Sequence, residues 1–326
     1  MKKILTALSV LTFASTIGSL TVTVLNTSSQ KNDVLNNKTQ QDTIYIDENG
    51  KKVITNKHNL SDIKTTKITQ IGFYKNDQGE IQVVNMPRTI KEVPEQLPPE
   101  ITSLSYMFTH TTSFNQDLSK WNVSNVTNMS WMFSAANAFN QNLSSWDTSN
   151  VTNMSYMFAD ATSFNQDLSK WDVSNVTNMN NMFSNAWVFN QDLSKWNTSN
   201  VIDMSWMFCS TLKFNGNIST WDTSKVKNMS WMFSAANAFN QNISTWDTSK
   251  VKNMGWMFSC AFLFNGDISS WDTSNVTNMN LMFAHALKFN QNLSKWNVSN
   301  VMKYESFSFD SGLHNSKKLP KFKKNF

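Results

Sequence analysis

A block of 25 residues recurs eight times in succession, with copies beginning at residues 104, 129, 154, 179, 204, 229, 254 and 279 and no insertion or deletion between them. This period constrains the fold more than any other feature. A unit so short cannot bury its apolar face alone and must stack on its neighbours. In the copy spanning 129–153 the anchors are Met129, Met132-Phe133, Ala136, Phe139-Asn140, Leu143, Trp146 and Val151. Met-Phe recurs from 107/108 to 282/283, Phe-Asn from 114/115 to 289/290, and Trp from 121 to 296.

Two apolar periods alternate within the unit. Met129, Met132, Phe133, Ala136 and Phe139 stand at i, i+3, i+4, i+7 and i+10, the spacing of one helix face. A helix this short is marginal by itself, so the neighbouring copies have to stabilise it. The second half reads L-x-x-W-x-V in the first copy (Leu118, Trp121, Val123), followed by Val126, and its W-x-V core alternates as a short strand does. The expected fold is therefore a repeat solenoid of short helix, turn and short strand. Asn115, Ser119, Ser124 and their equivalents fall at the turns, where small polar side chains can bond free backbone groups and form ladders in register.

The column pattern M-S-x-M-F-x-x-A-x-x-F-N-Q-D/N-L/I-S-x-W-D/N-T/V-S-N/K-V-x-N covers 104–303. It resembles the leucine-rich-repeat class, whose L-x-x-L-x-L core is echoed by L-x-x-W-x-V. More closely it is similar to the BspA-like surface-protein family, in the 25-residue form common in mycoplasmas. Departures are few: Gly216 and Gly266 replace the Gln, and Thr111 and Thr211 replace the Ala. The resemblance implies a leucine-rich-repeat-like solenoid displayed on the cell surface, with adhesion or host contact as its role.

The flanks divide the rest of the chain. Met1-Lys2-Lys3 precedes an uncharged run from Ile4 to Leu25, which reads as a signal peptide or, uncleaved, as an N-terminal membrane anchor over 1–25. With Lys2 and Lys3 inside, everything beyond would lie outside the cell. A polar linker follows over 26–42. Residues 43–103 read as a small β-rich N-terminal cap with a Pro-rich join, one hairpin turning at Asn49-Gly50 and a second, from Ile68 to Tyr74 and back from Ile81, turning at Asn76–Gly79. After the array of 104–303, residues 304–326 read as a degenerate C-terminal cap and a mobile basic tail.

Charge argues against a nucleic-acid partner. The net +5 sits at the two ends, while 101–300 carries ten Lys against eleven acids. Cys209 and Cys260 fall in different columns of the fifth and seventh copies, roughly 10 Å apart if stacked and so beyond the ~7 Å Cα limit for a disulfide. Two free thiols are expected. The four His are scattered, and no metal set, P-loop, G-x-G-x-x-G or G-x-S-x-G is present. No enzyme activity, catalytic residue, metal or cofactor is expected.

Three surface features remain. The column Tyr106, Trp131, Tyr156, Asn181, Trp206, Trp231, Trp256, Leu281 lies opposite the Met/Phe face on a helical wheel. Tyr106, Trp131, Tyr156, Trp206, Trp231 and Trp256 would then form an outward aromatic row that either binds protein or glycan or simply stacks to tie copies together. Lys225, Lys227, Lys250 and Lys252 form a basic patch, either a contact for acidic glycans or anionic lipid or a solvated face. The Asn/Asp column from 122 to 297 suits turn capping better than a shared calcium ion. Specificity is expected where copies differ, at 109–113, 120 and their equivalents, or on the aromatic row. The expected function is an extracellular or surface-exposed adhesin-like protein contacting a host or neighbouring-cell protein or glycan. Membrane contact would run only through an uncleaved N-terminal segment. The alternative is a structural or antigenic coat protein without a specific ligand.

Overall fold

The computed structural model describes residues 38–323, so the expected signal segment and most of the linker lie outside the described residues. Among the described residues no helix is long and apolar enough to cross a membrane. The chain from Thr39 onward forms one compact unit. It opens with β1 (Thr43–Ile46) and β2 (Lys52–Thr55), an antiparallel hairpin. Asp47 shapes its turn by accepting the N–H groups of Asn49 and Lys51, and Gly50 takes a φ of 77° that suits glycine. β3 (Lys67–Gln70) pairs antiparallel with the other edge of β1, while β4 (Phe73–Lys75) pairs with β5 (Ile81–Val83) around a turn at Asn76–Gly79.

The single strand expected from Ile68 to Tyr74 is thus broken at Ile71-Gly72 and shared between two sheets. Gly72 passes so close to Gln41–Thr43 that a Cβ there would collide with the side chain and backbone of Thr43. Crossing at that point requires a glycine.

The repeated units do not form the expected leucine-rich-repeat-like solenoid of helix and strand. Among the described residues there is no helix, and the five short strands all precede the first copy. Hydrogen bonding shows why. The N–H groups of Met129, Trp131, Phe133 and Ala135 donate out of the segment, to the carbonyls 24 residues on, of Asn153, Ser155, Met157 and Ala159, at 2.7–2.9 Å. Those of Met132, Ser134 and Ala136 donate three residues back, at 3.0–3.3 Å. The i→i−4 ladder of an α-helix never forms. Trp131 and Ala135 have φ of 61° and 55°, and their equivalents in every copy are left-handed too, which reverses the local twist before a helix can propagate.

The second half is also built from turns. Trp146 N–H donates to Leu143 O and Val151 N–H to Thr148 O, so L-x-x-W and T-x-x-V each close a turn. Strand pairing shrinks to one parallel bridge per copy, running Ser103–Asn128–Asn153–Asn178–Asp203–Asn228–Asn253–Asn278–Lys303. Each 25-residue unit is therefore a coil of linked turns, hydrogen-bonded to the coils before and after it. At the start, Gln82 of β5 bridges to Ser103, so the array grows directly from the edge of the small sheet.

The core is a set of ladders. Phe108, Phe133 and their equivalents to Phe283 stack at 5.5–5.8 Å between centroids. Each also lies against the second phenylalanine of its own copy, as Phe133 does against Phe139 at 4.0 Å. Trp146 stacks on Trp171 at 6.3 Å, and from Trp146 to Trp296 each indole N–H of the column donates to a Leu or Ile carbonyl one coil earlier, Trp146 to Leu118 at 3.1 Å and Trp221 to Leu193 at 3.0 Å. A buried Trp needs such an acceptor. Cys209 is buried and free, its thiol pushed up to about 11 by desolvation first, and Cys260 is free and partly covered.

The last segment departs from expectation. Residues 303–309 keep the coil geometry although their side chains have left the columns: Leu281 donates to Glu305 and Phe283 to Phe307, and Ser306 and Asp310 are left-handed. The basic tail also packs as far as Lys323. Leu293 N–H donates to Lys318 O, the Lys318 ammonium donates to Asn290, and Phe322 stacks on Tyr304 at 4.4 Å. This tail covers the open end of the array, as a terminal cap must.

Candidate functional site

The aromatic row sits at the third position of each copy, on left-handed residues with φ of 58–62° from Tyr106 to Trp256, Asn181 aside. Bulky side chains rarely occupy this region. Because every copy repeats the strain, the coil demands it; it does not mark one active residue. The helical-wheel reason for an outward row fails with the helix, and the rings lie face to face. Tyr106 stacks on Trp131 at 5.6 Å, Trp131 on Tyr156 at 3.7 Å, Trp206 on Trp231 at 4.3 Å and Trp231 on Trp256 at 4.2 Å.

Asn181, only 8% exposed, divides the row into two stacks of three. Within each stack the ring faces are taken up by neighbours and the rings are half-buried; Tyr106, at 44%, is the exposed member. The row therefore joins copies, and Tyr106, at the start of the first stack, is its most exposed ring.

Lys225, Lys227, Lys250 and Lys252 are all exposed. Lys225 donates to the Asn200 side chain at 2.6 Å, and the Lys252 N–H donates to the Lys227 carbonyl, so the two copies are aligned. Asp222 and Asp247 stand close enough that Lys225 and Lys250 help lower their pKa values. These carboxylates offset the patch and weaken it as an anion site.

The Asn/Asp column from 122 to 297 caps turns. Asp147 accepts the Ser149 N–H, Asp172 that of Ser174 and Asp222 that of Ser224, each from two residues on. A second column does the same, as Asp117 with Ser119 and Asp167 with Ser169. These bonds favour the ionised form. The pKa values of Asp147, Asp222 and Asp247 are lowered chiefly by the serine side chain, and those of Asp117, Asp167 and Asp267 chiefly by the serine backbone. Among the described residues no group of three or more His, Cys, Asp or Glu could hold a metal ion.

A pH dependence follows. A carboxylate whose folded pKa is depressed stabilises the fold above its unfolded value, about 3.9, and loses that contribution as pH falls through the folded value. The urea midpoint should hold between pH 7 and 5 and decline below about pH 4, modestly because the groups are exposed. A midpoint unchanged down to pH 2.5 would show that the capping bonds carry no net stability.

The copies differ at their seventh position, which ranges over His, Ala, Asp, Asn, Ser and Cys, and at their ninth and tenth positions. The ninth reads Thr112, Asn137, Thr162, Trp187, Leu212, Asn237, Phe262, Leu287, and the tenth adds Leu263. Trp187, Leu263 and Leu287 are 51%, 51% and 54% exposed, and Leu212 and Phe262 are exposed as well. Adjacent copies touch here: Lys213 N–H donates to Trp187 O, Ala238 N–H to Leu212 O and Lys288 N–H to Phe262 O. The scaffold thus carries an apolar stripe on its later copies, interrupted by Asn237 in the sixth, where the earlier ones are polar. The 109–113 region was legible as variable, but its exposed apolar character emerges only from the fold.

Comparison with family models matches residues 102–220, 165–261 and 209–322 to a family described as "Mycoplasma protein of unknown function, DUF285". The chain belongs to this mycoplasma-type repeat family. Comparisons with curated proteins and with solved structures find no match.

Proposed function

We propose that the protein is a secreted or surface-displayed binding protein of the BspA-like, adhesin-like kind, docking a protein of a host or neighbouring cell on the apolar stripe of its later copies. One observation carries this reading: large apolar side chains stand exposed at positions where copies differ, on a scaffold whose buried Met, Phe and Trp columns barely vary. Exposed apolar side chains grouped in one place favour a partner, whereas scattered ones need no explanation. Aromatic and Leu side chains held on a rigid frame bind without a large ordering cost. The uncharged run from Ile4 to Leu25 supports export.

The test uses residues the scaffold already carries. Trp187→Thr, Phe262→Thr and Leu287→Asn place at the ninth position what other copies have there. The triple variant should unfold within about 0.5 kcal/mol of the parent, as surface changes do. Its binding to host cells or matrix proteins should fall by about tenfold or more, the loss of one anchor or greater. Undiminished binding by the variant would remove the stripe from the account. No binding by the parent chain would leave a coat protein without a specific ligand as the better reading.

A further inference from the structure

A second surface lies at the other end of the array, where the small sheet meets the first two copies. A cleft of about 580 Å³ opens there, within the usual size of a small-ligand site. Two aromatic groups border it. His58 and Tyr74 stack at 3.6 Å with planes 2° apart, and Tyr106 is the end ring of the aromatic row. One face of Tyr106 lies on Trp131, and the other meets no ring among the described residues.

A fixed polar network lies between them. The Asn76 amide donates to Glu80 Oε2 at 2.9 Å, and the Asn128 amide donates to Glu80 Oε1 at 3.2 Å. Ser130 Oγ donates to Asn128 Oδ1 at 2.8 Å and lies 2.9 Å from Ser105 Oγ. Glu80 is thereby tied to the β4–β5 turn on one side and to the end of the first copy on the other, so the network is organised before any ligand arrives.

We infer that this cleft is a sugar-binding site, taking a neutral pyranose against Tyr106 with its hydroxyls on the Glu80–Asn128 network. The chemistry of the lining selects among ligands. Each sugar hydroxyl both donates and accepts, and the cleft offers carboxylate acceptors beside amides and hydroxyls that do both. The electron-rich face of a ring suits the polarised C–H face of a pyranose. An anion would meet Glu80 and Asp77, and a cation would meet Lys75, all three of which line the cleft. The site is distinct from the apolar stripe, and neither proposal depends on the other.

The test measures binding of methyl glycosides of glucose, galactose, mannose and N-acetylglucosamine to the full chain by ligand-observed NMR, with choline chloride as the competing cation. At least one glycoside should bind and choline should not displace it. Tyr106→Ala should weaken that binding about tenfold or more, as loss of a stacking platform does. Trp256→Ala, at the far end of the row, should leave it unchanged, which separates a local effect from general loosening. Glu80→Gln keeps a polar side chain in the network and should weaken binding less than Glu80→Ala. The inference is overturned if no glycoside binds, if choline displaces the one that does, or if Trp256→Ala is as harmful as Tyr106→Ala.

Discussion

Replacing Phe208 with Ala should cost about 3–5 kcal/mol of unfolding free energy, the range for deleting a fully buried ring. Phe208 lies 5.7 and 5.8 Å from Phe183 and Phe233 in the coils before and after it, 3.8 Å from Phe214 in its own coil and 6.1 Å from Trp221. It is completely buried, and every neighbour is itself tied to another coil. The void cannot collapse without breaking the hydrogen bonds from the Phe183 N–H to Met207 O and from the Phe208 N–H to Met232 O. Coils of a stack contact only their neighbours, so a defect in the fifth copy weakens the joint between the two halves of the array. Urea unfolding followed by tryptophan fluorescence should show a lower midpoint and a broader transition. A loss below about 1 kcal/mol would mean that the ring is not packed as described.

Much of this architecture was readable from the residues, and the part that was not has a physical cause. The 25-residue period, the inward columns and the hairpin at Asn49-Gly50 follow from spacing and turn chemistry. The apolar positions at 129, 132, 133 and 136 fit a helix face equally well as two linked turns, because both bring every third or fourth residue inward. What separates them is the destination of alternate N–H groups, and those acceptors lie 24 residues further along the chain. The 11-residue stretch that shows the helical spacing, 129–139, does not contain that partner. Trp131 and Ala135 gave no warning of their left-handed backbone, since neither is a residue that favours it.

The same distance effect hid the sugar cleft. His58, Tyr74, Glu80 and Asn128 span 70 positions and belong to no motif; the bridge from Gln82 to Ser103 brings the sheet against the first copies. The aromatic row shows the opposite case. Its regularity was plain, but whether its rings face solvent or each other depends on backbone angles that spacing does not report. At 3.7–4.3 Å, most of its neighbouring rings are within stacking distance.

The central claim is that each copy is a coil of turns with left-handed residues at its third and seventh positions. The seventh position tests it best, because two copies carry alanine there: Ala135 at φ 55° and Ala235 at φ 54°. An L-residue in this region pays roughly 1–2 kcal/mol for its Cβ, which glycine does not. Glycine costs about 0.5–1 kcal/mol of extra chain entropy in return. The balance favours glycine by about 0.5–1 kcal/mol per site on these figures. In a helix the sign is reversed, and glycine costs about 1 kcal/mol relative to alanine at each position. The most direct measurement is therefore the unfolding free energy of the Ala135→Gly, Ala235→Gly double variant against the parent. The turn-built coil predicts a gain of about 1–2 kcal/mol, and a loss of about 2 kcal/mol would contradict it by giving the helical sign.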